Sequence, residues 1–484
     1  MPSDPVTLGE LAALAGGRVL GDPGTPLTDL THDSRAVGPG ALFVAVRGFT
    51  VDGHRFVPAA RAAGAAAVCV EEDPGDALPA LVVADTRAAL GPLAARVHGE
   101  PSRHLRLVGV TGTNGKTTVT HLLESIATAA GLVAALVGTV GARIAGRPEA
   151  VLRTTPEAAD FQRLLARMVA GGVQMAAVEV SSHALALGRV AGSHFAVAAF
   201  TNLSQDHLDF HRDMEDYYRA KASLFFPGLA ERAVVWVDDP AGERLAAETP
   251  LPVTRVGRHQ SAAVTAEDLA LGLRDSRFTL VGVGPAVSVR LPLAGEFNVA
   301  NALVAAAVAA VLGIPSDSIA AGIGAVTTVP GRFEIVETGR DCTVVVDYAH
   351  TPEGVAVVIE TARRLAGAGR VIAVLGAGGD RDRAKRPLMG AAAAAADLAF
   401  ITSDNPRSED PGTIIDQVVA GAASGAAQVT VEPDRRLAIR AALHAARRGD
   451  LVLILGKGHE QGQQFADRVV PFDDRLVARE EAGA

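Results

Sequence analysis

The sequence predicts an α/β protein built from three domains, each with a sheet flanked by helices. Short apolar runs alternate with longer helical patterns, an arrangement typical of mostly parallel sheets. Two turn-rich stretches, HGEPSRH at 98–104 and VPGRFE at 329–334, punctuate the chain. We therefore expect domains at 1–100, 101–330 and 331–484, and a chain of 484 residues gives each of them enough length for its own core.

The strands can be predicted from the apolar runs in chain order. The first block contains ALFVAV, AAVCV and ALVVAD; the second contains LRLVGV, LVAALVG, MAAVEV, AVAAF and AVVWV; the third contains TVVVDY, VIAVLG, LAFITS, QVTVE and LVLILG. In the second and third blocks, unusual polar residues come directly after these runs. Because ligands of open α/β sheets bind beyond the carboxyl ends of the strands, we expect two facing sheets with a site between them.

The composition is that of a globular protein, with 49% hydrophobic and 20% charged residues. A net charge of −9 argues against general binding to nucleic acid or acidic membranes. Cys69 and Cys342 lie in apolar runs and are predicted to be reduced thiols of a cytoplasmic protein. The N-terminus lacks a signal-peptide pattern, and Asn298 and Asn301 interrupt the alanine-rich stretch 297–315, which favours a buried helix over a membrane span.

GVTGTNGKTT, at 109–118, lies between a predicted strand and a predicted helix. The backbone N–H groups of such a loop and the helix N-terminus can bind phosphate, while Lys116 would neutralise the outer phosphates and Thr117 would bind magnesium. The loop differs from the common P-loop, which has glycine at the position of Val110. A glycine-rich turn without a ligand is the alternative, but the strand, turn, Lys-Thr pair and helix together favour a nucleotide site.

Further polar residues follow other predicted strands. Glu179 ends an apolar run, where a buried carboxylate needs a cation or hydrogen bonds; taken alone, a glutamate that reaches solvent is the simpler interpretation. FTNLSQDHLDFH, at 200–211, supplies oxygen donors and imidazoles that suit magnesium or manganese better than zinc, with His207 as the candidate ligand. Taken alone, Lys221 is an ordinary surface lysine.

Seven motifs together closely resemble the Mur ligases, and they occur in this order: GVTGTNGKTT, EVSSHAL, FTNLSQDHLDFH, GEFNVANALVAA, VPGRFE, VDYAHTPEG and GKGHE. This family comprises ATP-dependent amide ligases that build the peptide stem of bacterial peptidoglycan, and the variant phosphate loop belongs to it. The resemblance covers nearly the whole chain. It implies a uridine-binding N-terminal domain, a central P-loop ATPase-like domain and a Rossmann-like C-terminal domain that binds the amino acid.

The resemblance also implies most of the site residues. The ATP site would comprise Gly112, Thr113, Asn114, Gly115, Lys116, Thr117, Thr118, Asn298, Asn301, Arg332 and Asp347. The UDP-muramoyl dipeptide would contact Ser34, Phe49, Thr50, Val51, Thr154, Thr155, Ser181 and Arg189. Two magnesium ions would be held by Thr117, Glu179, His207 and a carbamylated Lys221, and the catalytic residues would be Lys116, Glu179, His207 and Lys221. The chain departs from the pattern at Leu187, where some members carry glutamine.

The third block points to the amino acid that is added. DNPR resembles the signature of family members that add meso-diaminopimelate, in which the arginine reads the distal carboxylate. An arginine can clamp a carboxylate through paired hydrogen bonds that lysine cannot supply. Arg381, which follows the predicted strand VIAVLG, could clamp a carboxylate in the same way. By the resemblance the rest of the pocket comprises Asp404, Asn405, Pro406, Arg407, Gly456 and Glu460, with Glu460 on the distal ammonium. Without the resemblance, a proline turn with a solvated arginine is the simpler interpretation.

The implied activity is the ATP-dependent addition of meso-diaminopimelate to the D-glutamate γ-carboxylate of UDP-N-acetylmuramoyl-L-alanyl-D-glutamate, through an acyl phosphate. We expect a monomer in the cytoplasm whose partners are these small molecules. A folylpolyglutamate or cyanophycin-type ligase would share the phosphate loop but not both the uridine pattern at 31–56 and DNPR. An NAD oxidoreductase is disfavoured because the third glycine of its fingerprint would fall on Arg381. A regulator without catalysis is disfavoured by the intact Lys116, Glu179 and His207.

Overall fold

Helices cover both faces of largely parallel sheets in three successive parts of the chain. The computed structural model describes residues 5–48, 51–75, 79–259, 261–423 and 425–483. The predicted three-domain α/β fold is confirmed, and each strand predicted from an apolar run is present within one or two residues of its predicted start.

The N-terminal part forms a sheet with the strand order β2-β7-β6-β5-β4, in which only the contact of β2 with β7 is antiparallel among the described pairs. Its elements are β1 (Val6–Thr7), α1 (Leu8–Ala15), β2 (Arg18–Leu20), β3 (Pro26–Leu27), β4 (Asp29–Thr31), β5 (Ala41–Val44), α2 (Val57–Ala62), β6 (Ala67–Val70), β7 (Ala80–Val82) and α3 (Thr86–Val97). The domain docks on the central one, where Arg163 donates to Asp29 Oδ1 at 3.0 Å and to the Leu30 carbonyl at 2.9 Å.

The central part has a sheet with the strand order β11-β10-β9-β12-β8-β13-β14-β15 and a smaller antiparallel sheet, β16-β17-β18. Its elements are β8 (Arg106–Thr111), α4 (Lys116–Ala129), β9 (Ala134–Gly138), β10 (Gly141–Ile144), β11 (Arg147–Glu149), α5 (Ala158–Ala170), β12 (Met175–Glu179), α6 (Ser182–Ala186), β13 (Val197–Phe200), α7 (Met214–Ala222), β14 (Ala233–Trp236), α8 (Pro240–Glu248), β15 (Val253–Val256), β16 (Thr265–Leu271), β17 (Ser276–Val281), β18 (Val287–Leu291), α9 (Glu296–Val311) and α10 (Ser316–Ala325).

The C-terminal part has a sheet with the strand order β19-β20-β24-β21-β22-β23, parallel except for β19. Its elements are β19 (Glu334–Val336), β20 (Thr343–Asp347), α11 (Pro352–Ala366), β21 (Val371–Leu375), α12 (Lys385–Ala393), β22 (Leu398–Ile401), α13 (Pro411–Ala422), β23 (Gln428–Val431), α14 (Arg435–Ala445), β24 (Leu451–Leu455), β25 (Gly462–Gln464), β26 (Val469–Pro471) and α15 (Asp474–Ala482). This order puts β20 and β21 on either side of β24, so the loops after all three strands meet.

Alternation of side chains along each strand builds a core on both faces of each sheet. In β8, Val108 and Val110 pack under α4, α9 and α10, whereas Leu107 packs on the opposite face with α5. The alanine-rich stretch forms α9, whose side chains are mostly buried, as predicted for a core helix. Cys69 and Cys342 are free thiols in buried positions, also as predicted.

Two features of the fold were not predicted. The hairpin of β10 and β11 extends the central sheet, and the antiparallel sheet β16-β17-β18 lies against α9. Both lack the long apolar runs of the parallel strands, since their burial patterns alternate or are largely exposed. Apolar runs identify strands that are buried on two faces, so strands with one exposed face escape that criterion.

Candidate active site

The phosphate loop connects β8 to α4 and is shaped by two glycines with positive φ. A Cβ on Gly112, where φ is 146°, would lie 1.9 Å from Thr201 Oγ1. A Cβ on Gly115, where φ is 88°, would lie 2.3 Å from Asn301 Oδ1. Only glycine fits at these two points, so the loop turns tightly and leads its backbone N–H groups into the first turn of α4.

Side chains from the loop after β13 hold the phosphate loop in place. Thr201 Oγ1 donates to the Asn114 carbonyl at 2.6 Å, and Asn202 Oδ1 accepts from the Asn114 N–H at 2.9 Å. Lys116 Nζ turns back and donates to the carbonyls of Gly112 and Thr113, each at 2.8 Å. Burial lowers the pKa of Lys116, with opposing attraction from Glu179. The loop is therefore preorganised around Lys116, whose ammonium donates to carbonyl oxygens alone among the described residues.

A cavity of about 700 Å³ opens beside this loop and is lined by both the central and the C-terminal domain. The predicted ATP residues that line it are Asn114, Gly115, Thr118, Asn301, Arg332 and Asp347. Across the domain boundary, Arg332 donates to Thr117 Oγ1 at 3.0 Å, and its guanidinium lies 4.6 Å from the centre of the Tyr348 ring. The predicted meeting of two facing sheets at one cleft is confirmed by these contacts.

Two of the predicted ATP residues, Asn298 and Asp347, are held by hydrogen bonds to backbone groups. Among the described residues that line the cavity, Asn301 is present and Asn298 is not. Asn298 Nδ2 donates to the Ala294 carbonyl at 2.8 Å, so its amide lies behind Asn301. Asp347 accepts from the N–H groups of Phe333 and Ala349 at 2.6 and 2.7 Å, while burial raises the pKa of its carboxyl group.

Glu179 ends β12 and is 1% exposed, which contradicts the simpler interpretation that it reaches solvent. Its carboxylate accepts from the N–H and the hydroxyl of Thr139, each at 2.9 Å. A Cβ on Gly138 would come within 2.1 Å of Glu179 Oε1, so the end of β9 is kept small to admit the carboxylate. Thr139 follows β9 and Glu179 ends β12, and these neighbouring parallel strands bring them together.

His207 lies in the loop after β13 with a φ of 57°, a strained value for a non-glycine residue. Its Nε2 lies 3.4 Å from Asp206 Oδ2, and its ring contacts that of His183 edge-on at 4.8 Å. Burial lowers the pKa of His207 although Asp206 opposes this, so the ring is held neutral. A neutral imidazole has a lone pair available for a metal ion.

Lys221, in α7, is 1% exposed, which contradicts the interpretation of an ordinary surface lysine. Its ammonium donates to the Gly112 carbonyl at 2.7 Å, the same oxygen that accepts from Lys116. Burial, and then the positive charge of Lys116, lower the pKa of Lys221 well below its usual range. No acidic side chain of the described residues forms an ion pair with it. This burial was not apparent from the sequence, because α7 carries several charged residues, among them Glu215, Asp216 and Arg219.

The residues expected to bind the muramoyl dipeptide form a second group beside Glu179. Thr155 Oγ1 donates to the Glu179 carbonyl at 2.7 Å and accepts from the Ser181 N–H at 3.2 Å. Thr154 Oγ1 lies 3.1 Å from Thr139 Oγ1, and Arg189 NH1 lies 3.5 Å from the Thr155 carbonyl.

The N-terminal members of this set lie apart from that group. Ser34 begins a 3₁₀ turn, and Val51 is 41% exposed. Within the part of the chain that the structure describes, no hydrogen bond joins either residue to Thr154, Thr155, Ser181 or Arg189. Phe49 and Thr50 lie outside the described residues.

The predicted diaminopimelate residues converge after β21, β22 and β24. Asn405 Nδ2 donates to Glu460 Oε2 at 2.8 Å, and a Cβ on Gly456 would lie 2.5 Å from Asp404 Oδ2. The Pro406 carbonyl approaches Gly379 so closely that a Cβ there would lie 1.9 Å away. The DNPR loop and the turn after β21 thus form one wall of a pocket.

Two arginines of this wall lack anionic partners. Arg407 NH1 donates to the Gly379 carbonyl at 2.7 Å, and Arg381 NH1 donates to the Asp380 carbonyl at 2.9 Å. Among the described residues, no carboxylate lies within ion-pair distance of either guanidinium. Burial and the charge of Arg381 lower the pKa of Arg407, whereas Asp404 and Glu460 act in the opposite direction. A half-buried guanidinium without an anion is suited to bind the carboxylate of a ligand.

Three cations of the C-terminal domain near the site were missed by the sequence interpretation. Lys385 pairs with Asp206, Lys457 lies among the pocket residues, and Arg386 pairs with Glu409 at 2.7 Å behind the DNPR loop. All three are at most 5% exposed. Their motifs, GAGGDRDRAKRP and GKGHE, follow strands directly, and this position was the signal that could have identified them.

No group of three or more His, Cys, Asp and Glu side chains in the described ranges is arranged to hold a metal ion. Thr117 and Glu179 still fit one magnesium ion, because Mg²⁺ commonly uses one or two protein oxygens together with phosphate oxygens. An unmodified Lys221 ammonium does not fit a cation site, whereas the neutral His207 does. In the residues that the structure describes, no helix combines the length and apolar character required to cross a membrane.

A phosphate loop that opens into a cavity between two facing sheets defines a multidomain nucleotide-binding α/β protein. Family models match three parts of the chain: the Mur ligase family catalytic domain at 26–98, the Mur ligase middle domain at 110–309, and the Mur ligase glutamate ligase domain at 331–458. The chain belongs to the Mur ligase family, and its relatives match it along nearly the whole length.

Two relatives are named UDP-N-acetylmuramoyl-L-alanyl-D-glutamate–2,6-diaminopimelate ligase. The one from Streptomyces avermitilis is 47% identical and covers 97% of this chain and 96% of its own; the one from Streptomyces coelicolor is 48% identical over 95% and 93%. A solved structure with the same name is 33% identical, covers 99% of both chains and superposes with a TM-score of 0.70. This similarity disfavours the oxidoreductase and regulator alternatives.

Proposed function

We propose that the protein is an ATP-dependent ligase that joins meso-diaminopimelate to the D-glutamate γ-carboxylate of UDP-N-acetylmuramoyl-L-alanyl-D-glutamate, in the synthesis of peptidoglycan precursors. Relatives of that name match nearly the full chain at 47–48% identity. The observation that carries the choice of amine is the half-buried Arg407, which no described carboxylate neutralises. It supports a substrate whose distal end bears a carboxylate.

The reaction requires activation of the carboxylate, since amide formation from a free carboxylate is unfavourable in water. We infer that the γ-carboxylate of the dipeptide attacks the γ-phosphorus of ATP, which breaks the bond to ADP and forms an acyl phosphate. The diaminopimelate amine then attacks the acyl carbon and expels inorganic phosphate. Lys116 would turn from its carbonyl partners to the transferring phosphoryl oxygens, and Arg332, already at Thr117, would approach them from the other domain.

Two magnesium ions are proposed, one on Thr117 and Glu179 and one on His207 and a modified Lys221. When bound, they would neutralise negative charge on the phosphates and the incoming carboxylate. Thr139 fixes the Glu179 carboxylate through two hydrogen bonds, so the ligand oxygens are oriented before a cation arrives. Because its ring is neutral, His207 can bind a metal ion without first losing a proton.

Lys221 is a buried cation without an acidic partner among the described residues. Carbamylation would remove this unfavourable positive charge. Loss of one proton gives the neutral amine, whose attack on carbon dioxide forms an N–C bond and releases a second proton, so that the original cation becomes a carboxylate-like anion. That anion would lie beside Lys116, so two cations at the Gly112 carbonyl would become an ion pair. The modification is proposed on this balance of charge and on the resemblance to the family.

The other substrate contacts follow from the grouping of side chains. Thr154, Thr155, Ser181 and Arg189 adjoin Glu179, which is where the glutamate end of the dipeptide must arrive. We assign the uridine end to Ser34 and the segment from Phe49 to Val51 on the N-terminal domain. The nucleotide would occupy the cavity between Asn301 and Asp347. We further propose a monomer, because the residues assigned to all three substrates are found in this one chain, and a cytoplasmic location, which the resemblance to the family implies.

Phosphate release from ATP tests the reaction class. The purified protein is offered ATP and magnesium with the UDP-muramoyl dipeptide, with diaminopimelate, with both, or with neither. A ligase releases phosphate at its full rate only when all substrates are present. Equal release without the dipeptide would indicate a simple ATPase and overturn the proposal.

A further inference from the structure

Lys457 is a buried cation at the centre of the pocket, and neither the resemblance nor the names of the relatives gives it a role. It follows β24 within the GKGHE motif, and its side chain is 0% exposed. Its ammonium lies 3.0 Å from Asn405 Oδ1, 3.1 Å from Glu460 Oε2 and 3.7 Å from Asp404 Oδ1. All three partners belong to the proposed diaminopimelate pocket, and none is part of the phosphate loop.

The hydrogen bonds of Glu460 show what Lys457 does there. Glu460 Oε2 accepts from both Lys457 and Asn405 Nδ2, whereas Oε1 has no hydrogen bond to another described residue. Asn405 is oriented independently, because its Oδ1 also accepts from the Gln464 N–H at 2.9 Å. The particular contribution of Lys457 is therefore to fix one oxygen of Glu460 and to leave the other available to a ligand.

Lys457 also changes the net charge of the pocket. Asp404 and Glu460 bring two carboxylates to the pocket, and Lys457 neutralises the charge of one of them. With Arg407 at the rim, the four side chains then carry no net charge, which suits a ligand end bearing both an ammonium and a carboxylate. Without Lys457, the side chains of Asp404, Glu460 and Arg407 would carry one net negative charge, since Arg381 is exposed to solvent, and a ligand end with an ammonium alone would be favoured.

We propose that Lys457 is a positioning residue that sets the amine specificity of the pocket: it orients Glu460 and offsets one carboxylate, so that an amino acid with a zwitterionic distal end is preferred to a simple amine. This inference rests on the proposed function, since it concerns how the same pocket distinguishes diaminopimelate from lysine. It differs from the role of Arg407, which would contact the substrate carboxylate itself.

The first test replaces the ammonium by an uncharged group of similar length, in Lys457→Met. We expect the ratio of kcat/KM for meso-diaminopimelate to kcat/KM for lysine to fall by about tenfold or more, with KM for ATP changed less than about twofold. The matched control is Arg370→Met, which breaks the ion pair with Asp450 at the opposite ends of the same strands and should leave the ratio unchanged. An unchanged ratio in Lys457→Met would overturn the inference. So would a rise in KM for diaminopimelate that is matched by an equal rise in KM for lysine.

A second comparison remains decisive if the single variant fails to fold. Glu460→Gln removes the negative charge of the pair. The double variant Lys457→Met/Glu460→Gln removes both charges. Because Lys457 acts through Glu460, KM for diaminopimelate in the double variant should match that of Glu460→Gln within about twofold. A further tenfold rise would contradict the inference. If the wild-type protein ligates diaminopimelate normally, an unchanged ratio in Lys457→Met or a further tenfold rise in the double variant overturns this inference alone. If the wild-type protein ligates no amine, the proposed function is overturned as well.

Discussion

The ammonium of Lys385 lies 3.1 Å from Asp206 Oδ1, and this ion pair joins the C-terminal domain to the loop that carries His207. Both side chains are less than 10% exposed. Asp206 Oδ2 also lies 3.4 Å from the Nε2 atoms of His207 and of His350, which belongs to the C-terminal domain. Asp206 is thus the point at which two domains share one carboxylate, directly beside a proposed metal ligand.

Removal of the Lys385 charge should loosen this junction. In Lys385→Met, Asp206 would lose its buried partner, a change that costs about 3–5 kcal/mol when no water can replace the partner. Because the pair lies between domains, we expect the C-terminal domain to separate from the loop that carries Asp206, which exposes this carboxylate to water. Amide hydrogen exchange across 202–211 should then become faster and kcat should fall. Arg383→Met is the control, since this exposed neighbour pairs with Glu409 and with no other carboxylate of the described residues. Unchanged exchange across that loop in Lys385→Met would show that the pair does not hold the domains together.

Lys116→Ala should abolish ligation without unfolding the protein. Among the described residues, the partners of the ammonium are two carbonyls of the phosphate loop, so its loss breaks no ion pair within that part of the chain. Its proposed role is to stabilise charge that develops on the transferring phosphoryl group. Phosphate release with all substrates present measures the effect, and Thr128→Ala, an exposed position on the same helix, serves as the control. Retention of more than a few per cent of the activity would contradict the role.

Arg407→Ala should weaken binding of diaminopimelate far more than binding of ATP. Loss of a desolvated charge pair costs about 2–5 kcal/mol, which corresponds to roughly two or more decades in KM. The control is Arg468→Ala, an exposed arginine in the nearby hairpin that pairs with Asp467. Steady-state kinetics with each substrate varied in turn separate the two KM values. An unchanged KM for diaminopimelate would remove the argument for a carboxylate clamp.

Sequence patterns predicted the parts of this molecule that are buried on two sides. The parallel strands, the alanine-rich α9 and the phosphate loop all follow from local spacing, since a strand covered on both faces has to be apolar and a tight turn requires glycine at Gly112 and Gly115. The location of polar residues after strands also predicted the cleft. The antiparallel sheet β16-β17-β18 was missed because its exposed face removes that signal.

The environments of single side chains could not be predicted from spacing. Glu179 and Lys221 both favour solvent by residue type, and both are buried because residues distant in sequence close over them. Lys457 and Lys385 acquire their partners only when loops from separate strands, or from separate domains, come together. The family resemblance provided the roles of Lys221 and Arg407, whereas the unassigned cations became visible only from their contacts.

The partly buried ring of His459 should make stability depend on pH. Burial, with the charges of Arg332 and Arg475, lowers its pKa from 6.5 to about 4, and its Nδ1 has no hydrogen-bond partner among the described residues. The unfolded chain therefore binds a proton below pH 6.5 that the folded protein excludes, and the free energy of unfolding falls as the pH drops from 6.5 towards 4. At about pH 5 this one group would account for about 2 kcal/mol.

His459→Gln should accordingly reduce the loss of thermal stability between about pH 7 and about pH 5, the range in which this histidine takes up a proton in the unfolded chain. The thermal midpoint measured at both pH values gives the difference for each variant. His104→Gln, at an exposed histidine, controls for the removal of a surface imidazole. Identical pH dependence in His459→Gln and in the wild type would mean that the ring takes up a proton in the folded protein.

The central claim is that the facing sheets bring a nucleotide, a sugar-tethered carboxylate and an amino acid held by Arg407 into one site. The most direct measurement offers the purified protein the UDP-muramoyl dipeptide, ATP and magnesium with equal amounts of meso-diaminopimelate and lysine, and identifies the products by mass spectrometry. We predict the diaminopimelate adduct as the dominant product, formed together with ADP and phosphate. A dominant lysine adduct, or ATP consumption without any adduct, would contradict the account.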